Sequence, residues 1–222
     1  MYFLEKIKNR YALNFQKAQI LDEIRHLTET VQSFINGKQR SEQIVILDYI
    51  IKSLIDDACA SKIVEPLIKP TEGVLDEPLP LFYYDENGNS QSIYTSRKTS
   101  VDIAASNIYV RPWSIDKTLD SLLNLSDKKF IYKSNNHFSY YYTDINLCYV
   151  HNGNHSINAG RYYKKGTILS DEANTSLLYP HINTDGVYWY NSHTNQVIYS
   201  VSDFRFAAVF LVAKMKNELT KS

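Results

Sequence analysis

Cysteine is nearly missing from this 222-residue chain: there are two, Cys59 and Cys148, far apart and each in apolar surroundings. A disulfide scaffold or a zinc cluster needs more ligands at closer spacing, so both read as small buried hydrophobes. Cys148 also lacks an activating neighbour, which discounts it as a nucleophile. No apolar run approaches the roughly 18 residues of a membrane span. The opening MYFLEKIKNRYALNF has no sustained apolar segment of the signal-peptide kind, so a cytoplasmic protein that does not engage a membrane is expected. Net charge is also absent: 24 Lys plus Arg balance 24 Asp plus Glu, which counts against general nucleic-acid binding but not against a compact phosphate pocket. There is no Walker loop, no dinucleotide fingerprint, no Gly-X-Ser-X-Gly elbow and no repeat of fixed period.

What the chain does have is a hydrophobic fraction of 44%, enough for a substantial core. Residues 2–35 carry apolar side chains mostly three or four apart, from Phe3, Leu4, Ile7, Tyr11 and Leu13 through to Ile35, and Asn36-Gly37 supplies a helix stop. Ser41 is expected to cap a second helix running to about Ala58, giving an antiparallel helical hairpin. Pro66, Pro70, Gly73, Pro78 and Pro80 then suggest an extended linker. Residues 82–84 and 92–95 read as a hairpin around Asn87-Gly88, and Ser100 to Ser106 as a helical turn.

From Asn107 the pattern is a strand ending at Arg111-Pro112, and then a helix capped by Ser114 with Ile115, Leu119, Leu122 and Leu123 turned inward. Strands at 129–132 and 137–142 follow. A short apolar strand, Leu147-Cys148-Tyr149-Val150, runs into the polar turn His151-Asn152-Gly153-Asn154-His155-Ser156, with a helix expected from Ser156 to Tyr163. A strand at 166–169, a hairpin at 186–201 and a largely buried helix capped by Ser202 complete the chain. The expected architecture is α+β: a helical region at 1–65, a linker and hairpin at 66–106, and a small mixed-sheet core with a C-terminal hairpin and helix at 107–222.

The turn after the apolar strand is the leading candidate site. Free amides at a helix start and the helix dipole favour an anion. Gly153 allows close backbone approach, while Asn152, Asn154, Ser156 and Asn158 offer hydrogen-bonding side chains. His155 is the acid–base candidate. His137, His151 and His155 have no fixed carboxylate or thiol beside them, and no metal site is expected from them. Trp113 reads as core, and Asp116 and Lys117 as solvated charges on a helix face.

Residues 107–170 resemble the ParB/sulfiredoxin superfamily in the order strand, Arg-Pro, helix, strands, apolar strand and Gly-X-His box, here Gly153-Asn154-His155-Ser156. Members of that superfamily include partition proteins that use CTP, a sulfinate reductase and a serine kinase that use adenine nucleotides, and some nucleases. The resemblance implies a nucleotide or other small phosphorylated ligand on the box, with Arg111 facing it from the preceding strand end. Ser156 stands where the superfamily carries Arg, so that guanidinium must come from elsewhere. Nucleotide hydrolysis or phosphotransfer would in addition require magnesium held by a carboxylate, for which Asp116, Asp144 and Asp185 are equally available. The alternative is a non-catalytic protein that uses this core as a scaffold and meets a protein or DNA partner through the N-terminal helices.

Overall fold

The computed structural model describes residues 2–70 and 76–221, with side chains from Asn14 onward. The expected apolar positions Phe3, Leu4, Ile7, Tyr11 and Leu13, and the linker residue Gly73, therefore lie outside the side chains or residues described. Helices α1 (Tyr2–Ile35) and α2 (Arg40–Ile68) form the helical N-terminal region, and Gly37 at φ +71° turns the chain between them. The cap of α2 is Gln39 rather than Ser41: Glu42 reaches back to accept from the Gln39 amide at 2.9 Å, leaving Ser41 inside the helix. The helix also runs past Ala58 and through Pro66. A proline in the last turn removes a single donor, and Lys69 still donates its amide to the Glu65 carbonyl at 3.1 Å.

The hairpin β1 (Phe82–Tyr84) and β2 (Ser90–Ser92) turns through Gly88, two residues earlier on its second arm than expected. The expected helical turn at 100–106 is partly there: residues 100–102 end a strand instead, and the chain then turns through 103–105, the Ser106 amide donating to the Asp102 carbonyl at 3.0 Å. β3 (Tyr94–Asp102) pairs antiparallel with β7 (Thr167–Ala173), a partner some seventy positions away that no local pattern reveals. With β4 (Asn107–Tyr109), β5 (Phe138–Tyr142) and β6 (Leu147–Asn152) these strands make a mixed sheet of order β3-β7-β5-β6-β4. The stretch read as linker and hairpin thus contributes an edge strand to the central sheet. Residues 129–132 form no ladder. Phe130 instead packs its ring on His137, with ring centroids 5.2 Å apart.

The sheet is covered on both faces, which is why β6 is apolar without alternation. Leu147 and Tyr149 enter one core with α2 and α5 (Phe204–Lys221), while Cys148 and Val150 enter another with Ile157 of α4 (Asn154–Tyr162). On the first face Tyr109 meets Phe206 edge-on at 4.7 Å. A second, antiparallel sheet contains β8 (Ile182–Thr184), a strand the pattern did not suggest, with β9 (Tyr188–Asn191) and β10 (Val197–Ser200). It packs on α5 through Trp189 against Phe210 at 5.3 Å. Asp203, not Ser202, caps α5, accepting from the Arg205 amide at 3.1 Å. Ser202 donates instead to the Glu77 carbonyl.

Helix α3 (Ile115–Ser126) starts at Ser114 as expected, but its apolar row faces outward: Ile115, Leu119 and Leu123 are 50%, 52% and 74% exposed. The helix lies beside α4.

Candidate functional site

The candidate site forms where β6 ends and α4 begins. Gly153 takes φ +86°, a left-handed conformation that turns the strand directly into the helix, so α4 starts at Asn154, two residues before the expected cap at Ser156. The first intrahelical bond runs from the Ile157 amide to the Gly153 carbonyl at 3.0 Å. Ahead of it, the amides of Asn154, His155 and Ser156 donate to no acceptor among the described residues. These are three of the four donors a helix start leaves open.

They border a basin of about 430 Å³ lined by Trp113, Lys117, Asp120, Ser121, Asn136, Asn152 and Gly153 to Ser156. A second hollow of about 260 Å³ shares Ser121, Asn136 and Ser156 with it and adds Lys128, Lys129, Lys133 and His137. Four lysines therefore face one carboxylate, Asp120, along the joined groove. A neutral chain has gathered positive charge where the helix dipole already favours an anion.

Two histidines fix the wall. The Lys133 amide donates to His137 Nδ1 at 3.0 Å, so Nδ1 holds the lone pair and Nε2 the proton. Nε2 then donates to Ser156 Oγ at 2.9 Å, and Ser156 donates onward to the Gly153 carbonyl at 3.1 Å. Because His137 Nε2 is the donor in this chain, it takes no proton from Ser156 and does not activate it as a nucleophile. On the other side Thr118 gives its hydroxyl proton to the Ser114 carbonyl at 2.6 Å, so His155 Nδ1 donates to Thr118 Oγ1 at 3.1 Å. The remaining nitrogen, His155 Nε2, is left bare, unpartnered and with less than 1 Å² accessible. An acid–base role for His155 therefore requires its ring to swing out from beside Trp113, 5.1 Å away.

Burial, aided by Lys133, holds the His137 pKa below the usual histidine range, and burial with Lys117 does the same for His155. Groups held neutral in the fold but able to take a proton when unfolded stabilise fully above the ordinary histidine pKa of about 6.5 and lose that contribution as pH falls towards the depressed values. Protonated His137 would turn an N–H against the Lys133 N–H. The melting temperature should therefore fall between pH 7.5 and pH 5. His137→Gln should be less stable at pH 7.5 and show a flatter acid limb, as followed by circular dichroism. An unchanged slope would contradict the assigned proton positions.

Of the residues expected at the site, Asn152, Gly153, Asn154, His155 and Ser156 come together. The Asn154 side chain is spent on the fold, accepting from the Arg111 amide at 3.0 Å, so it offers the ligand its backbone. The other two sit elsewhere. The Arg111 guanidinium faces Glu65 of α2, with Nη1 3.7 Å from the carboxylate, because the strand end points its side chain back into the α2 interface. Asn158, a turn further along α4, lines a different pocket against α2 and α3. The magnesium candidates are also outside the basin: Asp144 accepts from Thr175 Oγ1 and the Ser176 amide, Asp185 from the Val187 and Tyr188 amides, and Asp116 is exposed on α3. Among the described residues no cluster of three or more His, Cys, Asp or Glu is arranged to hold a metal ion.

Thr118, Asp120, Asn136 and Lys133 escaped sequence reasoning. Only Thr118 left a trace, one turn after the Ser114 cap on the same helix face.

No curated protein and no solved structure matches this chain significantly. A family model does, over residues 7–222, under the description "Family of unknown function (DUF6710)". That match spans nearly the whole sequence, so the chain belongs to the DUF6710 family.

Proposed function

We propose that this protein binds a small phosphorylated ligand, a nucleotide foremost, with a phosphate on the amides of Asn154, His155 and Ser156. The observation that carries the reading is that these three donors are open while the rest of the turn is tightly bonded. The surrounding lysines supply charge that Ser156 and Arg111 do not. The succession β4, α3, β5, β6 and α4 follows the order on which the resemblance to the ParB/sulfiredoxin superfamily rests, without its strand at 129–132. Among the described residues Asp120 is the one carboxylate lining the groove and so the one suited there to a phosphate-bound magnesium ion. Binding rather than turnover is the function proposed, because His155 Nε2 is shut in. Hydrolysis or phosphotransfer would be a further step. No helix among the described residues is long and apolar enough to cross a membrane, and a cytoplasmic location suits a nucleotide ligand.

The second reading, a protein partner on the N-terminal helices, is favoured by exposed Phe34, Val45 and Tyr49, at 54%, 68% and 72%, near the α1–α2 turn.

A thermal-shift series with nucleoside mono-, di- and triphosphates, with and without magnesium, tests the first reading. A ligand at a hundred times its dissociation constant stabilises by about 2.7 kcal/mol. At least one nucleotide should raise the melting temperature, and Lys133→Glu, at an exposed position, should reduce that shift. No shift with any nucleotide or with inorganic phosphate would overturn the reading.

A further inference from the structure

On the far side of α3 from the phosphate basin lies a separate pocket of about 260 Å³, walled by Ile63 and Leu67 of α2 and Leu119 and Leu122 of α3. Its lining is mainly apolar, and several wall residues stay exposed, Leu67 at 69% and Leu119 at 52%. A purely apolar pocket would say little about its occupant. This one has polar groups in its lining: besides Tyr162 and Thr118, whose hydroxyl is spent on the Ser114 carbonyl, these are Asn158 and Arg161 of α4. Asn158 is only 7% exposed, yet its side-chain amide makes no hydrogen bond to any described residue. Asn158 is not among the fully enclosed side-chain atoms that lack a partner, so its amide reaches open space, and the pocket it lines is where a ligand can meet it. Arg161 likewise makes no ion pair or hydrogen bond through its guanidinium with the described residues. The carboxylate that shares a neighbouring cavity with it, Asp56, is already held by Lys52 at 2.7 Å.

We propose that this pocket binds a monocarboxylate with an apolar tail, the tail between α2 and α3 and the carboxylate on Arg161 and Asn158. A guanidinium matches the two oxygens of a carboxylate with parallel donors, and the Asn158 amide adds a third. Arg161 is the one charged side chain among the described lining residues, so the tail end of the ligand is uncharged. The site is independent of the phosphate reading, from which it is separated by Thr118.

Calorimetric titration of the full chain with decanoate, kept below its micelle concentration, tests this against methyl decanoate and decan-1-ol. Decanoate should bind saturably at one site, and the two uncharged analogues about tenfold or more weakly, as expected for losing a charged hydrogen-bonded pair. Arg161→Gln should bring decanoate down to the level of the alcohol with the unfolding curve unchanged. Leu119→Gln should weaken all three ligands. Absence of decanoate binding, equal affinity for the methyl ester, or an Arg161→Gln variant that binds decanoate normally would each overturn the proposal. So would a concentration-dependent dimer, seen by sedimentation, that Leu119→Gln abolishes and decanoate leaves intact, since the face would then belong to a second copy of the chain.

Discussion

Gly153→Ala is expected to cost about 2–4 kcal/mol of folding stability and to remove phosphate binding with it. The backbone there stands at φ +86°, where any Cβ is strained, by about 1–2 kcal/mol. The space is also taken: an added Cβ would lie 2.6 Å from His137 Cδ2 and 3.1 Å from the Asn136 carbonyl. His137 has little room to give, being bonded at both ring nitrogens and stacked on Phe130. Relief must come from moving the turn itself, which carries the open amides. Gly88→Ala is the control, since it has φ +80° but nothing within 4 Å of the added atom. It should show the backbone strain alone and bind ligand normally. Urea unfolding of the two variants separates the contributions, and equal losses would mean that the His137 contact is not rigid.

Arg205→Leu is expected to destabilise by about 3 kcal/mol. Its Nε and Nη2 bond the two Asp203 oxygens at 2.8 and 2.7 Å, Nη1 reaches Asp57 Oδ2 at 2.8 Å, and Nη2 also meets Ser61 Oγ at 3.1 Å. The Asp203 side chain is 5% exposed, so losing the guanidinium leaves a buried carboxylate uncompensated at the start of α5. The same arginine pins α5 to α2 across the helical layer that covers the sheet. Because the partner is left charged, the double variant Asp203→Asn with Arg205→Leu should recover part of the loss. A double variant as unstable as the sum of its single changes would show that the two residues act independently.

The parts of this fold legible in the sequence are those set by burial on known faces. β6 announced itself because adjacent residues enter opposite cores, leaving no polar position from Leu147 to Val150. α5 did so because most of its circumference is covered. What escaped depends on distant partners or on geometry without a residue signature. β3 resembled a helical turn at its end because its ladder is with β7, across more than sixty intervening residues. The apolar spacing of α3 is real, but spacing reports a helix with one apolar face, not what covers that face. At the site, the glycine turn and its amides were visible as a type of residue at a type of place. The histidine that locks Ser156 comes from nineteen positions upstream, and Arg111 was drawn away by Glu65, a residue of a helix whose packing no local pattern reports.

The most direct measurement follows the amide resonances of Asn154, His155 and Ser156 in the isotope-labelled protein during titration with inorganic phosphate and then with a nucleoside triphosphate and magnesium. Saturable downfield shifts at these three amides, larger than at the amides of Asn158 or Arg161 and lost in Gly153→Ala, are the predicted result. Amides that stay in place while ligand is in excess, or shifts spread over the lysines of the groove without these three, would contradict a phosphate seated at the start of α4.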